Sequence, residues 1–356
     1  MSIKGQSTNP TIKFAGEELS KYLSKMGNKD NEIVLKGEGI DYTPEDNSIW
    51  IGLFSDFGIE SQGVEDSNFD DELHIDINRG KGIIAGVNPR SVLLAVYRFL
   101  AESGCMWVRP GEDGEFIPKK DRLRVSVDLH EKASYRHRGI CIEGANSYQN
   151  IVDIIDWAPK VGFNAYYFQF REAYIFFERW YTHRNNPLKT PEPFTIDMAR
   201  GFLRDAEKEI EKRGLIYHAV GHGWTCAPFG IQGLSWDAVE EDIDPEIRKY
   251  LAKVDGERKL WHGVPLNTNL CYSNPKVRDI IIEDIVIYAK EHPQIDVLQF
   301  WLADGSNNQC ECEGCQKKRP SDFYVMMLNR LDERLTEEEL DVKIVFLIYV
   351  DLLWAH

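Results

Sequence analysis

Beyond residue 138 the sequence alternates short apolar runs with amphipathic stretches, and this rhythm is what most constrains the fold. Strands are expected at Gly139 to Ile142, Asn164 to Phe170, Leu215 to Val220, Asp296 to Leu302 and Lys343 to Tyr349. Between them, Ile151, Ile154, Ile155, Ala158 and Val161 mark one helix, and Met198, Phe202, Leu203, Ala206 and Ile210 a second that stops at Gly214. Asn274-Pro275 opens a third helix carrying Ile281, Ile285 and Val286, and Ser321 opens a fourth with Tyr324, Leu328, Leu331 and Leu335 on one face. Strands alternating with helices of this length are the mark of parallel βαβ units, because a parallel partner is reached only through a long crossover. A closed (β/α)8 TIM-type barrel needs eight units, whereas the chain ends at Trp354-Ala355-His356 just after the fifth strand. The expected fold is therefore α/β with a TIM-type barrel incomplete at its C-terminus; either the chain is a fragment, which is the favoured expectation, or the barrel is open and must cover the edge of its last strand.

The first third has a different pattern. Phe14, Leu19, Tyr22, Leu23 and Met26 form a helical stripe, followed by strands at Ile33 to Leu35 and Ile49 to Phe54. Residues 72 to 77 alternate, Gly82 to Val87 is a further strand, and Asn88-Pro89 caps a helix bearing Val92, Leu93, Val96, Tyr97 and Leu100. A strand at Leu123 to Val127 closes this unit before a polar link near residue 130. At 356 residues the chain exceeds the usual size of one core. Two domains are expected, a small α/β domain over 1–130 and the barrel over 131–356.

A formal net charge of -16 and a sequence pI near 5.1 argue against nucleic acid or an anionic membrane surface as partner, since both recruit clustered Lys and Arg. No apolar run reaches the roughly 20 residues of a membrane-spanning helix. The start, Met1-Ser2-Ile3-Lys4-Gly5-Gln6, lacks the apolar core of a secretory signal. The expected location is the cytoplasm, or outside it if the natural N-terminus is longer. Oligomeric state is left open by these patterns.

The chemistry-bearing stretch is Trp301-Leu302-Ala303-Asp304-Gly305, running on to Cys310, Cys312 and Cys315. It follows a buried strand, and in α/β barrels the loops after the strands build the active site. Asp304 is thus the leading candidate for a catalytic carboxylate, its plain alternative being an Asp-Gly turn. Cys310, Cys312 and Cys315 supply three thiols within reach of one ion, and Cys271 completes a four-sulfur set if its loop lies alongside. Structural zinc, a disulfide with one thiol left over, and free thiols are the three readings. Glu172 follows the second strand beside Arg171 and Tyr174, where a catalytic carboxylate competes with a solvated loop.

The segment Gly82 to Val87 with Ser91 to Phe99, then Trp107-Val108-Arg109-Pro110-Gly111 and Ile117-Pro118, resembles the small α/β domain preceding the barrel in family 20 β-N-acetylhexosaminidases and family 67 α-glucuronidases. Tyr135 to Glu143 resembles the opening of their barrels. Asn269-Leu270-Cys271, Asn274-Pro275, Trp301 to Asp304, the Cys-x-Cys-x-x-Cys run and Ser321-Asp322 resemble the domain of unknown function 4838, a hydrolase-like family. The resemblance implies sugar chemistry. It implies that Arg138 grips sugar hydroxyls and that Glu143 is the acidic residue ending the first strand. It also matches Asn164 to the Asn opening the second strand and Gly221-His222 to the Gly-His after the third. Asp304 falls where the hexosaminidases carry an Asp-Glu pair, but here the pair reads Asp304-Gly305, so their general acid is missing.

The expected function is a glycoside hydrolase acting on O-glycosidic bonds, with no cofactor in catalysis. Catalytic carboxylates would come from Asp304, Glu143 and Glu172. Arg138 and His222 would hold the sugar and Trp224 would stack on it, with Asn164, Trp301 and Tyr174 as further substrate-binding candidates, Tyr174 within an aromatic stacking wall running on to Tyr181. Two rivals are a sugar-binding protein on a barrel that has lost its acid, and a metal-dependent hydrolase using the cysteine loop with His222.

Overall fold

The computed structural model describes residues 2–4, 7, 9–28, 32–36, 42–43, 47–121, 124–142, 144, 146–240 and 243–353. The chain divides into two compact units. One comprises Met1–Ile140, Tyr148–Tyr166 and Arg204–Ile216, and the other Cys141–Ser147, Tyr167–Leu203 and Tyr217–His356.

In the first unit, β1 (Ser2–Lys4), β2 (Glu32–Leu35), β3 (Ile49–Leu53), β4 (Glu72–Asn78), β5 (Lys81–Gly86) and β6 (Val127–Lys132) form one sheet ordered β1-β2-β3-β5-β4-β6. The β1 to β3 and β3–β5 pairs are parallel, whereas β4 runs antiparallel to both β5 and β6. Helices α1 (Pro10–Lys25) and α2 (Pro89–Glu102) pack their apolar faces on it. Asn88 starts α2 as the sequence predicts, its side-chain oxygen accepting the Ser91 N–H, and Asn9, which the sequence reading did not name, starts α1 in the same way; each stands ahead of a proline at the first helical position. Leu19, Leu23, Val92, Leu93, Val96 and Leu100 have no exposed surface, each worth about 1.5–3 kcal/mol of burial. The closing strand runs over Val127–Lys132, where Val127 and Leu129 pair with Ile77 and Ile75 of β4; of the expected strand Leu123 to Val127, Leu123 lies outside the described residues. The polar residues near 130 belong to that strand, and the expected boundary falls inside it.

Helix α3 (Tyr148–Lys160) belongs to this unit, while α5 (Ile196–Lys212) contributes its second half and ends at Gly214, whose φ of +59° suits a glycine stop.

The second sheet contains β7 (Gly139–Cys141), β8 (Ala165–Phe170), β9 (Ile216–His222), β10 (Val297–Phe300) and β11 (Lys343–Phe346), in the order β11-β10-β9-β8-β7. The pairs β9–β10 and β10–β11 are parallel. Five strands are thus found among the described residues, at the five expected places, giving a mixed α/β fold with a parallel sheet. Helices α6 (Pro275–Glu291), capped by Asn274, and α7 (Pro320–Glu337) separate the later strands. Helix α7 opens one residue ahead of Ser321, at Pro320. A helix the sequence pattern hid is α4 (Tyr174–Tyr181), whose eight residues, six of them apolar, are too few to display the 3.6-residue period.

Candidate functional site

Register decides what meets what at the carboxyl end of the second sheet. Phe300 pairs with Phe346, and the Trp301 N–H donates to the Gly221 carbonyl at 3.3 Å, so the loops after β9, β10 and β11 leave the same edge. They line one cavity of about 280 Å³ with His222, Trp236, Trp301, Asp304, Tyr349 and Asp351 around it, and Gln169 of β8 contributes to its wall. Gly221 makes the approach possible. A Cβ there would lie 2.4 Å from the Tyr167 Oη and 2.6 Å from Trp301, so a side chain would push both rings away.

His222 ends β9 at 8% exposure, with its ring against Trp301, Phe170 and Trp236 at centroid distances of 5.0, 5.3 and 5.6 Å. Burial pulls its pKa down to about 4, against the opposing pull of the Asp304 carboxylate, so the imidazole is neutral near pH 7. Trp301 is half-buried, its Nε1–H donating to Gln299 Oε1 at 3.1 Å. Asp304 is half-buried on the loop after β10. Its Oδ1 accepts the Gly305 N–H at 2.7 Å, its own N–H donates to the Leu266 carbonyl at 3.0 Å, and its carbonyl accepts from Asn308 Nδ2 at 2.7 Å.

Asp351 is the residue the sequence reading missed. It follows β11 as Asp304 follows β10, is 3% exposed, and uses Oδ2 to accept the Asn307 N–H at 2.8 Å. Its Oδ1 is buried without a hydrogen-bond partner among the described residues, as is the Trp236 Nε1–H across the same cavity. Val220 and Val350, close before His222 and Asp351, hold φ of +46° and +44°. Branched side chains resist that region, and strain of this kind gathers at functional sites.

Several expected site residues do other work. Trp224 has no exposed surface and donates Nε1–H to the Val220 and Gln299 carbonyls at 3.1 and 2.9 Å, so its face is not open to a ligand. Gly223, at φ +119°, makes room for Arg171 rather than a ligand. Arg138 immediately precedes β7, at the start of the strand rather than its end. Its guanidinium donates to Asp71 Oδ2 at 2.7 Å, the Gly162 carbonyl at 2.8 Å and the Tyr135 carbonyl at 2.6 Å. Asn164 is fully buried, donating to Asp71 Oδ2 and the Arg136 carbonyl, both at 2.7 Å, and accepting the Arg138 N–H at 2.8 Å. With Arg90 and Ser91 on Asp71 Oδ1, both at 2.9 Å, these groups form a closed network inside the first unit. Both Nδ2 hydrogens of Asn164 are thereby used, and the residue has no exposed surface for a sugar to reach.

Glu172 pairs with Arg200 at the rim of a separate pocket of about 220 Å³, which does not include Asp304. Tyr174 packs against Phe194 at 5.8 Å, and the expected aromatic wall is mostly packing: Phe176 and Phe177 are buried, and Tyr181 stacks on Phe194 at 5.1 Å. Glu143 lies outside the described residues.

The four cysteines do come together. The sulfurs of Cys271, Cys310, Cys312 and Cys315 all lie within 4.8 Å of one another, all as free thiols, in a set that includes no histidine. That grouping can hold a metal ion. His222 does not belong to that group, so the grouping itself does not pair the cysteines with His222 as the metal-dependent hydrolase reading had it.

No protein-family model matches the sequence, and no curated protein matches it. Among solved structures, the family 89 glycoside hydrolase from Clostridium perfringens in complex with PUGNAc is similar over 94% of this chain and 37% of its own, at 13% identity and TM-score 0.52. CpGH84D, of family 84, is similar over 97% of this chain and 45% of its own, at 11% identity and TM-score 0.45. The family 89 enzyme with its substrate GlcNAc-alpha-1,4-galactose gives 95% and 37%, at 12% identity and TM-score 0.49. The chain therefore spans less than half the length of these structures. The fold is glycoside-hydrolase-like.

Proposed function

We propose that this chain carries the active site of a glycoside hydrolase cleaving O-glycosidic bonds in an oligo- or polysaccharide, centred on Asp304 and Asp351. The observation that supports this best is the buried, unpartnered Oδ1 of Asp351 in the same cavity as Asp304, His222 and two tryptophans. Glycoside hydrolysis asks for two carboxyl groups flanking the bond, one protonating the leaving oxygen and the other activating water or attacking the anomeric carbon. Neither step needs a cofactor. Asp304 and Asp351 come from adjacent parallel strands that end in register, which is a suitable origin for such a pair. The stacking surface falls to Trp301 and Trp236, and neutral His222 and the free Trp236 Nε1–H supply polar contacts to sugar hydroxyls. Carboxyl groups about 5–5.5 Å apart would retain anomeric configuration, and about 6.5–9.5 Å would invert it.

A second reading, sugar binding without turnover, is favoured by Gly305. Its φ of +94° disfavours any side chain, so a glutamate cannot simply take the place it has in the hexosaminidase pair. A panel of aryl glycosides separates the two. The hydrolase reading expects turnover by the wild type that is lost in Asp304→Ala while sugar binding, measured by calorimetry, is retained. Binding with no turnover on any glycoside that binds would overturn it in favour of the second.

A further inference from the structure

The cysteine cluster is better built than chance proximity of four thiols would produce. A zinc ion with sulfur ligands at about 2.3 Å in a tetrahedron requires sulfurs about 3.8 Å apart. Cys271 Sγ lies 3.6 Å from that of Cys312 and 3.9 Å from that of Cys315. No pair stands at covalent disulfide distance, about 2.05 Å.

The surroundings are those of thiolates. The Lys253 N–H donates to Cys310 Sγ at 3.3 Å and the Ser273 N–H to Cys315 Sγ at 3.4 Å. Arg258 aims Nη2 at Cys271 Sγ from 3.6 Å and Nη1 at Cys310 Sγ from 3.9 Å. Its guanidinium has no carboxylate partner among the described residues, its other contact being the Leu251 carbonyl. A half-buried permanent cation facing four neutral thiols would be an uncompensated charge, whereas facing a zinc-tetrathiolate of net charge -2 it is paired. Gly314 completes the fit, because a Cβ there would come within 2.7 Å of Ser273 Oγ.

The cluster also has a mechanical position. Cys310 to Cys315 end the loop that begins at Asp304, and that loop is stitched to the segment carrying Cys271: Asn269 Nδ2 donates to Asn308 Oδ1 at 2.9 Å, Asn308 Nδ2 to the Asn267 carbonyl at 2.7 Å, and the Glu311 N–H to the Lys253 carbonyl at 2.7 Å.

We propose that Cys271, Cys310, Cys312 and Cys315 bind one zinc ion as a closed, structural four-sulfur centre that pins the Asp304 loop to the segment 251–274, with Arg258 balancing its charge. Four sulfurs leave no open position for water or substrate, so the ion takes no part in chemistry. Binding replaces the thiol protons by the ion.

Elemental analysis of the intact protein, purified without chelators, tests this. The expected result is about one zinc per chain, released when a mercurial thiol reagent is added. Exchange into cobalt should give the thiolate charge-transfer and intense visible bands of a tetrahedral sulfur site, a readout that needs no variant. Cys312→Ser should lose the zinc and Cys141→Ser, outside the cluster, should keep it. Iron in place of zinc, less than about a tenth of an equivalent of metal in folded wild type, or octahedral cobalt spectra would overturn the proposal.

Discussion

At the scale of single residues, His222 and Arg258 make opposite electrostatic statements. His222 is buried uncharged, with a folded pKa of about 4 against an ordinary value of about 6.5. The unfolded chain therefore takes up its proton first, so the stability contributed by the neutral ring is complete above pH 6.5 and is lost as pH falls toward 4, by about 3 kcal/mol in all. Melting temperatures across that window should fall more steeply in wild type than in His222→Gln, and equal slopes would refute the assignment. Arg258 is a half-buried cation that faces sulfur. Arg258→Met should weaken zinc retention by about 10- to 100-fold in competition with a chromophoric chelator, whereas unchanged retention would mean that the guanidinium is not the charge partner. Asp304 and His222 were legible in the sequence because each follows an apolar strand whose C-terminal end could be placed. Asp351 obeys the same rule, and was missed because the fifth strand was read through to Tyr349 when it ends at Phe346.

Among elements, the strand starts carry structure and the strand ends carry the candidate chemistry. The expected sugar grip of Arg138 and Asn164 rested on a motif resemblance, and such a resemblance does not reveal that Asp71, far earlier in the sequence, claims both side chains. Removing Asp71 would leave Arg90 and Arg138 without their shared carboxylate. Asp71→Ala should cost about 3–5 kcal/mol in denaturant unfolding, and a loss below about 1 kcal/mol would show that the network matters little. Trp224 was misread for a related reason, since an indole suits a buried wedge as well as an open platform. The helix at Tyr174–Tyr181 escaped notice because it spans only eight residues, six of them apolar, too few to display a helical period.

Over the whole molecule, the order of the strands and of the longer helices was readable from periodicity, with boundary errors at the strand that begins at Val127 and at the helix that begins at Pro320. The four-sulfur cluster was readable only as a possibility, because bringing Cys271 to Cys310, Cys312 and Cys315 depends on a loop contact that spacing does not encode. What organises the candidate site is the in-register end of β10 and β11, which directs Asp304 and Asp351 into one hollow beside His222. The most direct test is the kcat of Asp351→Asn beside that of Asp304→Asn on a glycoside the wild type cleaves, with melting temperature recorded for each. Losses of about 1,000-fold or more in both, in proteins that melt as the wild type does, are the predicted result. Wild-type kcat in a folded Asp351→Asn would contradict the account, since the hollow would then hold one working carboxylate and not two.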